Sequence, residues 1–388
     1  MTTTLGVDHL VRDPGAVGGT RWGLITNCTG VTSGLELSAL ALQRAGAPLA
    51  ALLSPEHGLR GTVQAGHSEA GRVDPLTGLP MLDTYRLEGE SLDRAVEALG
   101  IDSLVFDIQD VGVRFYTYVW TMVDCLRSAG RLGMPFTVLD RPNPLSGAVV
   151  EGPGLDRGFE SFVGRVDVPL RHGMTVGELA RLVALRDQRE GLPTPTPQVV
   201  TMTGWSREMY WGDTGLQWVM PSPNLPTPTS ALVYAGNGLF EGTVVSEGRG
   251  TTRPFELVGA PWLDESFARA LDGLDLPGVH FRPAWYQPTF GKFEGQVVGG
   301  VQVHVTDRGS YRPVATAVTM MGVARDLRPE DFAWRPPVGK REGDALPFID
   351  LLWGSDSLRT GPHLDLGAHR SPGVSGAREL STAHLLYE

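Results

Sequence analysis

The sequence predicts an α/β fold: a doubly wound parallel sheet followed by a second, smaller α+β domain. Three observations carry this. Through the first half, short apolar runs alternate with helix-like stretches, the order that builds parallel βαβ units. The run Met220-Pro221-Ser222-Pro223-Asn224-Leu225-Pro226-Thr227-Pro228 is too proline-rich for a regular element. Beyond it the texture changes to helices mixed with alternating strands.

In chain order, Trp22 to Thr26 reads as a strand and Leu35 to Ala45 as an Ala/Leu-rich helix. Leu49 to Leu53 is a second strand, followed by Ser54-Pro55-Glu56-His57-Gly58. A helix pattern over Ser91 to Leu99 precedes the strand Ser103 to Ile108. Tyr118, Met122 and Leu126 recur every four residues, the mark of a helix face. The strand Phe136 to Leu139 ends in Asp140-Arg141-Pro142-Asn143-Pro144. Thr175 and Glu178 form a capping box that opens a helix to about Arg186, and Gln198 to Met202 closes the series as a strand. The proline-rich run divides the chain into domains 1–225 and 226–388. In the second, Asp264 to Leu274 is a capped helix with Phe267, Leu271 and Leu274 on one face. Val279 to Tyr286 and Val297 to Thr306 are strands, and Pro313 to Leu327 is a helix with proline in its first turn. From Gly361 on, no element is assigned.

Composition excludes several function classes. The chain has 388 residues, 41% hydrophobic and 20% charged, which rules out global disorder. Its 50 glycines and 29 prolines imply long, shaped loops. A net charge of −11 argues against nucleic-acid binding, but leaves room for an anionic small substrate held by local arginines. Cys28 and Cys125, the two cysteines, make neither a disulfide framework nor a CxxC pair. Neither a signal peptide nor an apolar run of about 20 residues is visible, so no membrane insertion and a cytoplasmic location are expected.

Each first-domain strand ends in polar residues: Thr26-Asn27, Glu56-His57, Asp107 to Asp110, and Asp140-Arg141-Asn143. In an open parallel sheet those ends share one edge, where ligands bind. The turn after the first strand, Asn27-Cys28-Thr29-Gly30, lacks the glycines of a dinucleotide fingerprint. A P-loop, an HExxH zinc motif and a GxSxG elbow are also absent, and the histidines show no metal-ligand spacing. What remains is rich in carboxylates, arginines and aromatics. Glycoside hydrolysis uses that palette, with one carboxyl group to protonate the leaving oxygen and often a second as base or nucleophile.

Longer motifs narrow the reading. They are Ser54-Pro55-Glu56-His57-Gly58, the run from Phe106 to Tyr118, Asp140-Arg141-Pro142-Asn143-Pro144 and Glu151-Gly152-Pro153. Arg171-His172-Gly173-Met174-Thr175, Pro221-Ser222-Pro223-Asn224, Phe240-Glu241-Gly242-Thr243 and Gly248-Arg249-Gly250-Thr251 complete the set. From about Gly6 to Arg359 the chain resembles the NamZ family of exo-β-N-acetylmuramidases, formerly DUF1343. The resemblance implies a Rossmann-like N-terminal domain, a smaller C-terminal domain and a cleft between them. It also implies cofactor-independent release of terminal N-acetylmuramic acid from the non-reducing ends of peptidoglycan-derived saccharides or muropeptides. The chain departs from the family at Cys28, which stands where the family has glutamine, and in the Gly361 to Gly376 stretch, which replaces a helical tail.

Within that frame Glu56 is the candidate general acid. His57 either orients it, touches sugar hydroxyls or is simply packed. Asp107 and Asp110 are candidates for the second carboxylate, with turn formation as the rival role. Glu241 and Glu247 are further candidates, brought across the cleft by the second domain. Muramic acid carries a lactyl carboxylate, for which Arg114, Arg171 and Arg249 are the candidate partners. Asn27, Asp140, Asn143, His172 and Asn224 are candidate substrate contacts, with an Asp140–Arg141 ion pair as the structural alternative. Tyr116, Tyr118, Trp211 and Trp218 offer faces for sugar stacking or for core packing, and Glu178 is assigned to its capping box. The second chemical step stays open among water attack, a carboxylate nucleophile and assistance from the substrate acetamido group. A non-catalytic wall-fragment binder and a deacetylase or esterase are the competing classes.

Overall fold

The computed structural model describes residues 2–62, 73–338, 346–361 and 382–388. Its first domain is built on β1 (Trp22–Thr26), β2 (Leu49–Ser54), β3 (Met81–Asp83), β4 (Ser103–Asp107), β5 (Phe136–Leu139) and β6 (Gln198–Val200). They form one sheet, parallel throughout, in the order β3-β2-β1-β4-β5-β6. This is the order of a Rossmann-type sheet, reversing direction between β1 and β4. The two central strands are buried along their whole length, as strands covered on both faces must be.

The cover comes from α1 (Gly6–Arg12), α2 (Ser38–Arg44), α3 (Gly89–Glu97), α4 (Tyr118–Arg131) and α5 (Val176–Arg189). Alternation along the strands sorts the side chains between two cores. Ile25, Leu53, Phe106 and Val138 pack with residues of α3, α4 and α5. Leu24, Leu52, Val105 and Leu139 pack with residues of α1 and α2.

The second domain begins with α6 (Pro228–Asn237) and continues through β7 (Leu257–Ala260), α7 (Glu265–Asp272), β8 (Val279–Tyr286) and β9 (Val298–Val305). It ends in α8 (Pro313–Leu327), α9 (Phe348–Trp353) and α10 (Ser357–Thr360). β9 lies between β7 and β8, antiparallel to both. The core beneath α4 continues without a break through Phe115, Tyr234 and Phe255 to Val301 and Met321. One apolar interior therefore joins the two domains.

Some elements differ from the sequence reading. The proline-rich run does enter a helix, because Pro228 sits in the first turn of α6 and the Thr227 hydroxyl accepts from the Ser230 N–H at 3.0 Å. The helix expected from Leu35 starts at Ser38, after Leu35 turns through φ 66°. Strands β3 and β7, of three and four residues, are too short to show a period. Both cysteines are free thiols. Most of the stretch expected to be a divergent tail lies outside the described residues. The last residues, however, are held rather than frayed: Tyr387 donates to Asp140 at 2.6 Å and the Leu386 N–H to Glu178 at 3.0 Å. Among the described residues, no helix is long and apolar enough to cross a membrane.

Candidate active site

The strand β2 delivers its chain end into a tight turn, closed by the Gly58 N–H on the Pro55 carbonyl at 3.0 Å. His57 sits in the left-handed region at φ 72°, a conformation that costs a non-glycine residue about 1–3 kcal/mol. The turn sets Glu56 at the meeting point of two hollows. One, of about 660 Å³, runs between the loop after β3 and helices α3 and α4, past Tyr85, Arg86, Trp120 and Arg165. The other, of about 90 Å³, is walled by His57, Phe115, Tyr116, Tyr234 and Phe255. Glu56, Thr117 and Phe162 border both. The Thr117 hydroxyl donates to Glu56 Oε2 at 2.8 Å. Burial, with Glu56 alongside, pushes the Tyr85 phenol up.

The far wall of the small hollow belongs to the second domain. Glu241 and Arg249 both line it, and they pair at 2.8 Å. Arg249 lies over the Phe255 ring at 5.1 Å. Gly248 and Gly250, at φ 77° and 82°, let the chain turn sharply on either side of Arg249. Burial opposes the Arg249 charge, but Glu241 and Glu247 outweigh it and raise its pKa. Glu247 stands behind this pair, 3.5 Å from Arg249 and 2.8 Å from Lys292. Burial works against its ionisation, yet Lys292 and Arg249 hold its carboxyl below the ordinary value. Tyr234, between the walls, is raised well above the usual phenol range by burial and by Glu241.

The other candidates from sequence lie elsewhere, most of them bonded to backbone groups or to neighbouring side chains. Asp107 is fully buried and both its oxygens are held by Arg141, at 2.7 and 2.9 Å. Arg141 thus pairs with Asp107 and not with Asp140, correcting the ion pair expected between neighbours. Asp140 instead accepts from the Arg141 and Gly177 N–H groups, Thr175 and Tyr387. Burial pushes its carboxyl up to about 6, with the bonds from Tyr387, Gly177 and Thr175 pulling the other way. The Asp107–Arg141 pair fills the position between β1 and β4 where a sheet of this order would receive a ligand.

Asp110 shapes its own turn, accepting from the Gly112 N–H at 2.6 Å, and lies 3.4 Å from His172. His172 Nδ1 accepts from the Met174 N–H at 3.1 Å. Asn143 spends its amide on the backbone, donating to Met174 and accepting from Leu145. Asn27 accepts from the N–H and hydroxyl of Thr29. Asn224 is buried in the turn between Ser222 and Leu225.

Two of the three arginine candidates are corrected. Arg114 is wholly buried and donates to the carbonyls of Pro153, Val168, Leu352 and Trp353. Burial pulls its guanidinium down to about 9, so it stays charged at neutral pH, tying α9 to the first domain. Arg171 is equally buried and donates to the Leu145 carbonyl, lying over the Tyr210 ring at 5.9 Å. Neither borders the Glu56 hollows. Tyr118 is fully buried, donating to the Pro221 carbonyl. Trp211 packs edge-on with Trp218 at 5.0 Å and borders a different hollow, with Tyr210 and Arg308. Glu178 keeps its capping role, exchanging hydrogen bonds with Thr175.

Of the candidates, then, Glu56, His57, Tyr116, Glu241 and Arg249 share one hollow. Thr117, Tyr85 and Tyr234, which line the hollows, were missed as site residues. Thr117 stood inside a quoted motif, and that was the one signal available. Among the described residues no cluster of three or more His, Cys, Asp or Glu is placed to hold a metal ion.

A carboxyl group at the neck between a small and a large hollow, faced by an arginine–glutamate pair, fits a two-domain α/β enzyme of the glycosidase type. Comparison with known proteins agrees. Residues 22–229 match the model of the exo-β-N-acetylmuramidase NamZ N-terminal domain and residues 232–365 that of its C-terminal domain. The chain is 46% identical over 331 residues to the peptidoglycan β-N-acetylmuramidase NamZ of Bacillus subtilis (strain 168), covering 84% of this chain and 78% of that one. Two DUF1343 family crystal structures from Bacteroides fragilis NCTC 9343 superpose with TM-scores of 0.86 and 0.76 at 33% and 26% identity, each covering 100% of this chain and 99% of its own. The chain belongs to the NamZ family of exo-β-N-acetylmuramidases.

Proposed function

We propose that this protein releases terminal β-linked N-acetylmuramic acid from the non-reducing ends of peptidoglycan-derived saccharides, in cell-wall turnover or recycling. Glu56 is the proton donor. One observation carries the reading: its carboxyl group sits at the neck between the two hollows. A glycosidic bond passing that neck leaves the sugar rings in the large hollow, with the lactyl arm of the terminal sugar reaching into the small one. Glu56 then hands its proton to the bridging oxygen as the bond to the anomeric carbon breaks; water supplies the hydroxyl of the released sugar, and its remaining proton restores the carboxyl group.

The small hollow suits the muramic acid end. Its aromatic walls suit the lactyl methyl group, and Arg249 is the cation for the lactyl carboxylate. Glu241, paired with Arg249, is the second carboxyl group of the chamber. The test is product mass after incubation with a chromogenic N-acetylmuramide. Free N-acetylmuramic acid supports the reading. Binding without product would make the protein a wall-fragment binder, and a changed acyl group would make it a deacetylase or esterase.

A further inference from the structure

Behind the small hollow, a row of charges runs back into the loop between β8 and β9. Lys292, on that loop, buries most of its side chain and places all three of its ammonium donors. They go to the Phe240 carbonyl at 2.7 Å, the Val245 carbonyl at 2.8 Å and Glu247 at 2.8 Å. Phe240 directly precedes Glu241, and Val245 and Glu247 lead into Arg249. One side chain thus clamps the segment that carries both polar groups of the far wall. The same loop grips Gly250 through the N–H and hydroxyl of Thr289, each at 2.9 Å.

The charges alternate in the order Lys292, Glu247, Arg249, Glu241, and the last two reach the hollow. We propose that Lys292 is a positioning residue for substrate selection: by neutralising Glu247 and holding its backbone, it leaves Arg249 directed at the carboxylate of the bound sugar. This rests on the reading of Arg249 as the carboxylate anchor. Without the ammonium, Glu247 is a buried carboxylate whose remaining cation is Arg249. It then draws the guanidinium back from the hollow.

The test compares inhibition by N-acetylmuramic acid with inhibition by its neutral methyl ester, using a chromogenic muramide as reporter. In Lys292→Gln, which keeps an N–H donor but removes the charge, we expect the preference for the acid to fall about tenfold. KM for the muramide rises by a similar factor, and kcat stays within about twofold. In Lys292→Arg, which keeps the charge, most of the preference survives. An unchanged acid-to-ester ratio in Lys292→Gln overturns the proposal, and so does equal loss in both variants, which would be a packing effect. Arg249→Met separates the two layers. If it leaves the preference intact, the anchor itself is wrong; if it abolishes the preference while Lys292→Gln does not, only the role of Lys292 fails.

Discussion

Thr117 holds the N-cap position of α4, yet its side chain makes no cap hydrogen bond; it donates to Glu56 Oε2 at 2.8 Å instead. The usual stabilisation of a helix start, about 1 kcal/mol, is given up for a contact that orients the carboxyl group at the neck. Glu56→Gln is therefore expected to lower kcat by about 10²–10⁴-fold while the thermal unfolding midpoint stays near that of the wild type. Thr117→Val keeps the shape and removes the donor. It is expected to cost up to about tenfold in kcat, the worth of one buried hydrogen bond. Steady-state kinetics on a chromogenic muramide, beside circular-dichroism melts, check both.

Arg114 is expected to matter for stability and not for substrate recognition. Arg114→Met leaves four buried carbonyls without their donor and should cost about 3 kcal/mol or more, read by urea unfolding. A substrate-binding role would do the opposite, raising KM at unchanged stability.

The Asp107–Arg141 pair should behave as a buried ion pair. Asp107→Asn strands a guanidinium that is only 2% exposed and should cost about 3–5 kcal/mol. Combining it with Arg141→Met should cost less than the two single changes added together. A double-mutant cycle by chemical unfolding measures the coupling, and strict additivity would contradict it.

Asp140 gives stability a pH dependence of definite sign. Its carboxyl is raised from the ordinary 3.8 to about 6 in the folded protein, so the folded state holds a proton that the unfolded state releases. The contribution is fully present below about pH 4 and is lost as pH rises through 6, by at most about 3 kcal/mol. Asp140→Asn removes this slope. Relative to wild type, the variant should gain stability between pH 4 and pH 7, as measured by urea unfolding across that range.

Much of this architecture was legible in sequence, for a simple reason. Apolar runs such as Trp22 to Thr26 and Phe136 to Leu139 are buried on both faces, and such strands announce themselves by continuity. Glu56 was legible because it follows β2 directly, inside a motif. The neighbouring charges misled because a polar residue at a strand end reads the same whether it faces a ligand or another side chain. Asp107 and Arg141 satisfy each other 34 positions apart, and Arg114 reaches carbonyls 238 and 239 positions away. Lys292 had no signal at all, since a lone lysine in a glycine-containing loop reads as solvated surface.

The unbroken apolar interior beneath both lobes carries a consequence for engineering. A hybrid spliced at the proline run from two relatives would bring together Phe115 from one parent and Tyr234 from the other, rings that here meet edge-on at 5.1 Å. Shapes selected against different counterparts would have to mesh. Redesign of either lobe must therefore carry its mate along.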